Sequence, residues 1–155
     1  MDNFSYFKAS LTDIDAIYTL VSDVFDQFVA PNYIEEGNQE FYKYLDKNAV
    51  NNRLQNNHFI ILCKARGKVV GLIEVRNLNH VSMLFVNAAY QGRGIAKQLL
   101  SRALEICKKQ DPQLKEVSVH SSPNSVVIYE KLGFVKVKEE QIINGIRFTP
   151  MILKI

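Results

Sequence analysis

Leu84-Phe85-Val86-Asn87-Ala88-Ala89-Tyr90-Gln91-Gly92-Arg93-Gly94-Ile95-Ala96-Lys97 is the stretch on which the reading of this 155-residue chain turns. It begins as an apolar, strand-like run and passes through a short loop into residues at helical spacing: Ile95, Leu99, Ala103, Ile106 and Cys107. A strand that turns straight into a helix aims several unpaired amide N–H groups at one spot. Gly92 and Gly94 let the backbone come close to a ligand, and the helix start adds a positive dipole end, so a pyrophosphate is the natural guest. Arg93 and Lys97 could add cationic contacts. The same glycines also suit a tight turn with no ligand at all. The spacing excludes two competitors, because there is no Gly-Lys-Ser/Thr of a P-loop and no Gly-x-Gly-x-x-Gly of a dinucleotide site.

Working outward, His80 to Val86 reads as the strand that feeds this turn, and Phe59 to Cys63 and Val69 to Val75 form a hairpin about Arg66-Gly67-Lys68. Before them, Phe4 to Lys8 alternates as a first strand, and Thr12 with Asp13 and Asp15 opens a helix predicted from Asp13 to about Val29. One or two shorter helices are expected between Ile34 and Leu54, with Gly37 as a break. After the glycine turn come a helix to about Lys109, a strand at Val117 to His120, and a helix opened by Ser122-Pro123 and closed by Gly133. Two last strands, Phe134 to Ile142 and Ile146 to Ile155, join through Asn144-Gly145. Pro150 demands an edge or a bulge. The order β-α-α-β-β-β-α-β-α-β-β implies a mixed α/β fold, one domain over residues 1–155, with helices on both faces of the sheet.

Gln91-Gly92-Arg93-Gly94-Ile95-Ala96 after a strand, and a helix ending Tyr129-Glu130-Lys131-Leu132-Gly133-Phe134, together resemble the GNAT superfamily of acyl-CoA-dependent N-acyltransferases. Asn144-Gly145-Ile146-Arg147-Phe148-Thr149-Pro150-Met151 also resembles a poorly characterised bacterial branch of it. The resemblance implies a mostly antiparallel sheet of about seven strands. It implies acetyl-CoA as acyl donor, bound by Gln91 to Lys97 and by backbone groups of Leu84, Phe85 and Val86, with the Leu84 amide polarising the thioester carbonyl. It places the Tyr129 hydroxyl beside the departing sulfur. Where the family often carries Asn seven places before that Tyr, this chain has Ser122, which reads as a helix cap or a weaker cofactor contact.

The expected reaction is direct attack of a primary amine on acetyl-CoA in a ternary complex, with no metal or prosthetic group. An amine is mostly protonated at neutral pH, so a base is needed. His80, placed by strand alternation on one face with Ser82, Leu84 and Val86, is the first candidate; Glu74 and His120 are the alternatives. Phe25, Phe28, Tyr33, Phe41, Tyr42 and Phe148 could line the acceptor site, with Glu35 or Glu36 attracting a cationic amine. The rival readings are a noncatalytic acyl-CoA-binding or sensory domain and a nucleotide-phosphate module.

A net charge of +3, from 19 basic residues spread among 16 acidic ones, lends nucleic-acid binding no support. No apolar run approaches the ~20 residues that cross a bilayer, so a cytoplasmic, membrane-free protein is expected. Cys63 and Cys107 lie far apart without CxxC spacing and read as buried thiols. A homodimer, common in the superfamily, has no residue here that demonstrates it.

Overall fold

The computed structural model describes residues 3–155. Eight strands form one sheet: β1 Phe4–Lys8, β2 His58–Ala65, β3 Lys68–Arg76, β4 His80–Val86, β5 Glu116–Ser121, β6 Val135–Lys136, β7 Gln141–Ile143 and β8 Ile146–Lys154. The strand order is β1-β2-β3-β4-β5-β8-β6, with β7 also pairing β8. All pairs are antiparallel except β4 with β5. That parallel pair is held only at His80 opposite Ser118 and Val81 opposite Val119, after which the two strands part.

Helices cover both faces. On one, α1 (Ile14–Val24), α2 (Glu35–Leu45) and α3 (Lys47–Leu54) bury Ile17, Leu20, Val21 and Leu45 against Ile60, Leu62, Leu72 and Met83. On the other, α4 (Ile95–Gln110) and α5 (Val126–Lys131) bury Ile95, Leu99, Ala103 and Tyr129 against Ile61, Ile73, Val81 and Val119. Each strand of the inner sheet therefore serves two cores, which is why β2 and β3 are apolar almost throughout.

Several expectations change. Gly37 does not break a helix; it lies inside the first turn of α2, where an added Cβ would sit 2.1 Å from the Gly145 carbonyl oxygen of the β7–β8 turn. The break comes at Asp46, whose carboxylate caps α3 through the amides of Asn48 and Ala49. The first helix is opened by Ser10 rather than Thr12: the Asp13 carboxylate accepts the Ser10 amide at 2.8 Å, and a 3-10 turn leads into α1. Its far end widens into a π-helix at Phe25–Val29, where the Ala30 amide donates to the Phe25 carbonyl.

The strand expected from Phe134 to Ile142 is two strands, giving eight where about seven were expected. Pro150 supplies the reason. Its carbonyl accepts from the Val137 amide, so its missing N–H faces the same edge, and the partner strand is interrupted there, β6 ending at Lys136 and β7 beginning at Gln141.

Candidate functional site

Where β4 and β5 part, a single cavity of about 910 Å³ opens through the sheet. Its wall includes Leu84, Phe85 and Val86, then Gln91, Gly92, Gly94, Ile95, Ala96 and Lys97, then Ser122 and Tyr129, and reaches His80 and His120 on the far side. Arg93 and Glu74, both expected at the site, lie outside this wall. The Arg93 guanidinium instead sits over the Tyr90 ring, 5.1 Å from its centroid.

The backbone of β4 presents alternating groups to its two neighbours. The Asn87 amide donates to the Val70 carbonyl of β3 at 2.8 Å. By the two-residue alternation of an antiparallel ladder, Phe85 also turns its N–H and C=O toward β3, while Leu84 and Val86 turn theirs toward the gap that β5 has vacated. Gln91 bears this out: its side-chain amide donates to the Val86 carbonyl at 3.0 Å, bracing the loop against the strand end. Of the three residues, Leu84 and Val86 turn their backbone groups toward the gap, where the Val86 carbonyl already accepts from Gln91.

At the turn, Gly92 and Gly94 have φ of +79° and +80°, conformations that side chains resist, and a Cβ on either would project into open space. Gly94 caps α4, whose first internal bond runs from the Gln98 amide to the Gly94 carbonyl at 3.1 Å. The amides of Ile95, Ala96 and Lys97 thus point out of the helix end with the dipole behind them, suited to an anion.

Tyr129 reaches the cavity from α5, its ring edge-on to Phe134 at 5.3 Å. Burial pushes its hydroxyl pKa up, so it stays protonated at neutral pH. Ser122 precedes a short 3-10 turn, Pro123–Ser125, but its hydroxyl caps no backbone amide; it bonds the Ser125 hydroxyl at 3.2 Å.

His80 is buried, with Nδ1 2.7 Å from the Ser118 hydroxyl and its ring edge 4.8 Å from His120, which stacks on Phe148 at 4.5 Å. Desolvation first, then the nearby Arg76 and His120, lower its pKa to about 4, so the ring is neutral at pH 7. The expected face is corrected. The β3–β4 register shifts at Glu74/Val75, so Ser82 is an extra residue. Val81, Leu84 and Val86 then share the core under α4, and His80 faces the opposite side, toward α1 and α2.

Glu74 is fully buried and held by three donors. Its carboxylate accepts from Arg53 Nε at 2.9 Å, the Tyr44 hydroxyl at 2.6 Å and the Ser82 hydroxyl at 2.7 Å. Arg53 also lies over the Tyr44 ring at 3.5 Å.

The half of the cavity beyond His80 is walled by Phe25, Phe28, Tyr33, Phe41 and Phe148, as anticipated. Tyr42 turns away to donate to Asp26, and neither Glu35 nor Glu36 lines the wall. The carboxylate that does is Glu40, one helical turn before Tyr44. Treating Gly37 as a break concealed it; continuous α2 spacing would have put Glu40, Phe41 and Tyr44 on one face. Arg76 and Lys131 are further charged groups of the wall that pattern reading missed. Among the described residues no cluster of three or more His, Cys, Asp or Glu could hold a metal ion, no helix is long and apolar enough to cross a membrane, and Cys63 and Cys107 are free and buried.

Comparison with known proteins matches residues 29–155 to the family described as "Acetyltransferase (GNAT) domain". An uncharacterized N-acetyltransferase of Methanocaldococcus jannaschii is 28% identical over 116 residues, 68% of this chain and 47% of that one. The N-alpha-acetyltransferase MAK3 of Arabidopsis thaliana is 31% identical over 83 residues, 47% of this chain and 43% of that one. The chain thus spans about half the length of the curated relatives it matches. Among solved structures, the PaiA N-acetyltransferase of Thermoplasma acidophilum, in complex with coenzyme A, superposes with a TM-score of 0.82 at 22% identity, covering 99% of each chain. At that identity the likeness concerns the fold.

Proposed function

The chain belongs to the GNAT acetyltransferase domain family, and from that premise we propose that it transfers an acetyl group from acetyl-CoA to a primary amine by direct attack in a ternary complex. The observation that carries the reading is the single cavity running from the Gly92–Lys97 turn, past the gap between β4 and β5, to His80. One end suits a pyrophosphate and the other an amine, and they meet beside Leu84 and Tyr129. That the Thermoplasma structural neighbour was solved in complex with coenzyme A supports a coenzyme A donor.

In this reading the amides of Ile95, Ala96 and Lys97 hold the pyrophosphate, and Gly92 and Gly94 let it approach. The gap-facing backbone groups of Leu84 and Val86 align the pantetheine arm, the Val86 carbonyl keeping its bond from Gln91. The Leu84 N–H stabilises the oxyanion as the amine nitrogen attacks the thioester carbon. The C–N bond forms and the C–S bond breaks. The thiolate takes its proton from the Tyr129 hydroxyl, which burial keeps protonated. The ammonium proton leaves through neutral His80 and a water; with a pKa of about 4 the ring relays the proton instead of storing it. Glu74, held by three donors, has a structural role. Neither buried thiol faces this cavity, so no acyl-enzyme is formed.

Calorimetry with CoA and acetyl-CoA, together with thiol release across an amine panel, tests this. Binding of acetyl-CoA and amine-dependent thiol release are expected. Binding without release from any amine would leave a noncatalytic acyl-CoA-binding domain, and failure to bind CoA would defeat both.

A further inference from the structure

Resting on the acetyl-transfer reading, we propose that the acceptor is a singly charged primary amine carried on an aromatic body, an arylalkylamine, and not a polyamine. Two independent features of the acceptor half lead there. One is the wall. The Phe25 and Phe41 rings are stacked at 4.0 Å and 6° between planes, Phe85 stands edge-on to Phe41 at 6.0 Å, and Phe148 closes the opposite side against His120. The π-helix widens the end of the first helix so that both Phe25 and Phe28 enter this wall. Phe28 and Phe41 remain half-buried, with ring surface left for a ligand to cover. Edge and face contacts of this kind favour a planar aromatic guest.

The other feature is charge. Among the described residues Glu40 is the only carboxylate in the cavity wall, and Lys43 already stands 3.7 Å from it. Across the cavity the wall carries the Arg76 guanidinium and two imidazoles but, among the described residues, no second carboxylate. One ammonium can be drawn in by Glu40 and delivered toward His80. A second or third positive charge on the same molecule would meet ring faces and the Arg76 guanidinium but no further carboxylate, and ring faces offset only part of the cost of desolvating a cation. A polyamine needs a row of carboxylates, and this wall has one.

The test is thiol release at saturating acetyl-CoA with 2-phenylethylamine, tyramine, n-butylamine and spermidine. The arylalkylamines are expected to show kcat/KM at least ~10-fold above n-butylamine, from the extra ring surface buried, and above spermidine. Phe28→Ala should raise KM for 2-phenylethylamine several-fold with KM for acetyl-CoA unchanged, and Glu40→Gln should raise KM for every amine. Spermidine or n-butylamine turned over as well as the arylalkylamines would overturn the assignment while leaving acetyl transfer intact. Thiol release with none of the amines would overturn the transfer reading and this one with it.

Discussion

The Ser82 hydroxyl donates to Glu74 Oε1 at 2.7 Å across the irregularity in the β3–β4 ladder, and this bond anchors the extra residue that turns His80 and Leu84 to opposite sides of the sheet. Without the shift, a strand alternating strictly from His80 would put the imidazole and the Leu84 side chain on one face. Ser82 is thus a positioning residue. Ser82→Ala should lower kcat/KM for the amine by roughly 10-fold, leave acetyl-CoA affinity within about 2-fold, and cost about 1.5–3 kcal/mol of stability, the range for a hydrogen bond to a charged group. Ser82→Thr, which keeps the hydroxyl, should restore most of the rate. Equal loss in both variants would rule the role out.

Glu74 and Arg53 form a buried ion pair at 2.9 Å, with side chains 0% and 12% exposed. Glu74→Gln leaves Arg53 buried without its counter-charge, and denaturant unfolding should show a loss of roughly 3–5 kcal/mol. A drop in kcat without that loss would instead favour Glu74 as the base.

Tyr129→Phe removes the proton that the proposed mechanism gives to the thiolate but keeps the ring that packs on Phe134. The expectation is a fall in kcat of about 10²-fold, in the range of general acid catalysis, with acetyl-CoA binding within about 2-fold by calorimetry. Unchanged turnover would remove Tyr129 from the mechanism.

His80 titrates at about 4 in the folded chain against an ordinary 6.5. The unfolded chain therefore binds this proton more readily, and the stability the group contributes is complete above pH 6.5 and lost as pH falls through 6.5 toward 4. Unfolding free energies measured from pH 7 to 4 should fall less steeply in His80→Asn. The acid limb of kcat/KM should lie near pH 4 in the native enzyme; a limb near 6.5 would contradict the assignment of His80.

Gly37→Ala would force its Cβ within 2.1 Å of the Gly145 carbonyl oxygen, backbone against backbone, so the α2 start and the β7–β8 turn must separate. These two elements bring Glu40, Phe41 and Phe148 to the cavity. A raised KM for the amine with an unchanged KM for acetyl-CoA is expected. Gly94→Ala should act on the other substrate, since its Cβ would point into the donor end and strain a left-handed residue by about 1–2 kcal/mol. Opposite assignments of the two variants would show that the halves of the cavity have been exchanged.

What the sequence determined by itself was local. The glycine turn, the strand before it, the helix after it and the Asn144-Gly145 hairpin are written in contiguous residues, because turn chemistry, capping and periodicity act over a few positions. They were enough to place the glycine turn that walls one end of the cavity. Other features were decided only when distant segments met. Glu40 reached the cavity wall because α2 runs unbroken through Gly37, a residue kept small by Gly145 more than 100 positions away. The face of His80 was set by a bulge that Glu74, Tyr44, Arg53 and Ser82 assemble from four separate elements. A period-two argument cannot foresee an inserted residue, since the energy that favours it lies in hydrogen bonds to partners the strand itself does not contain.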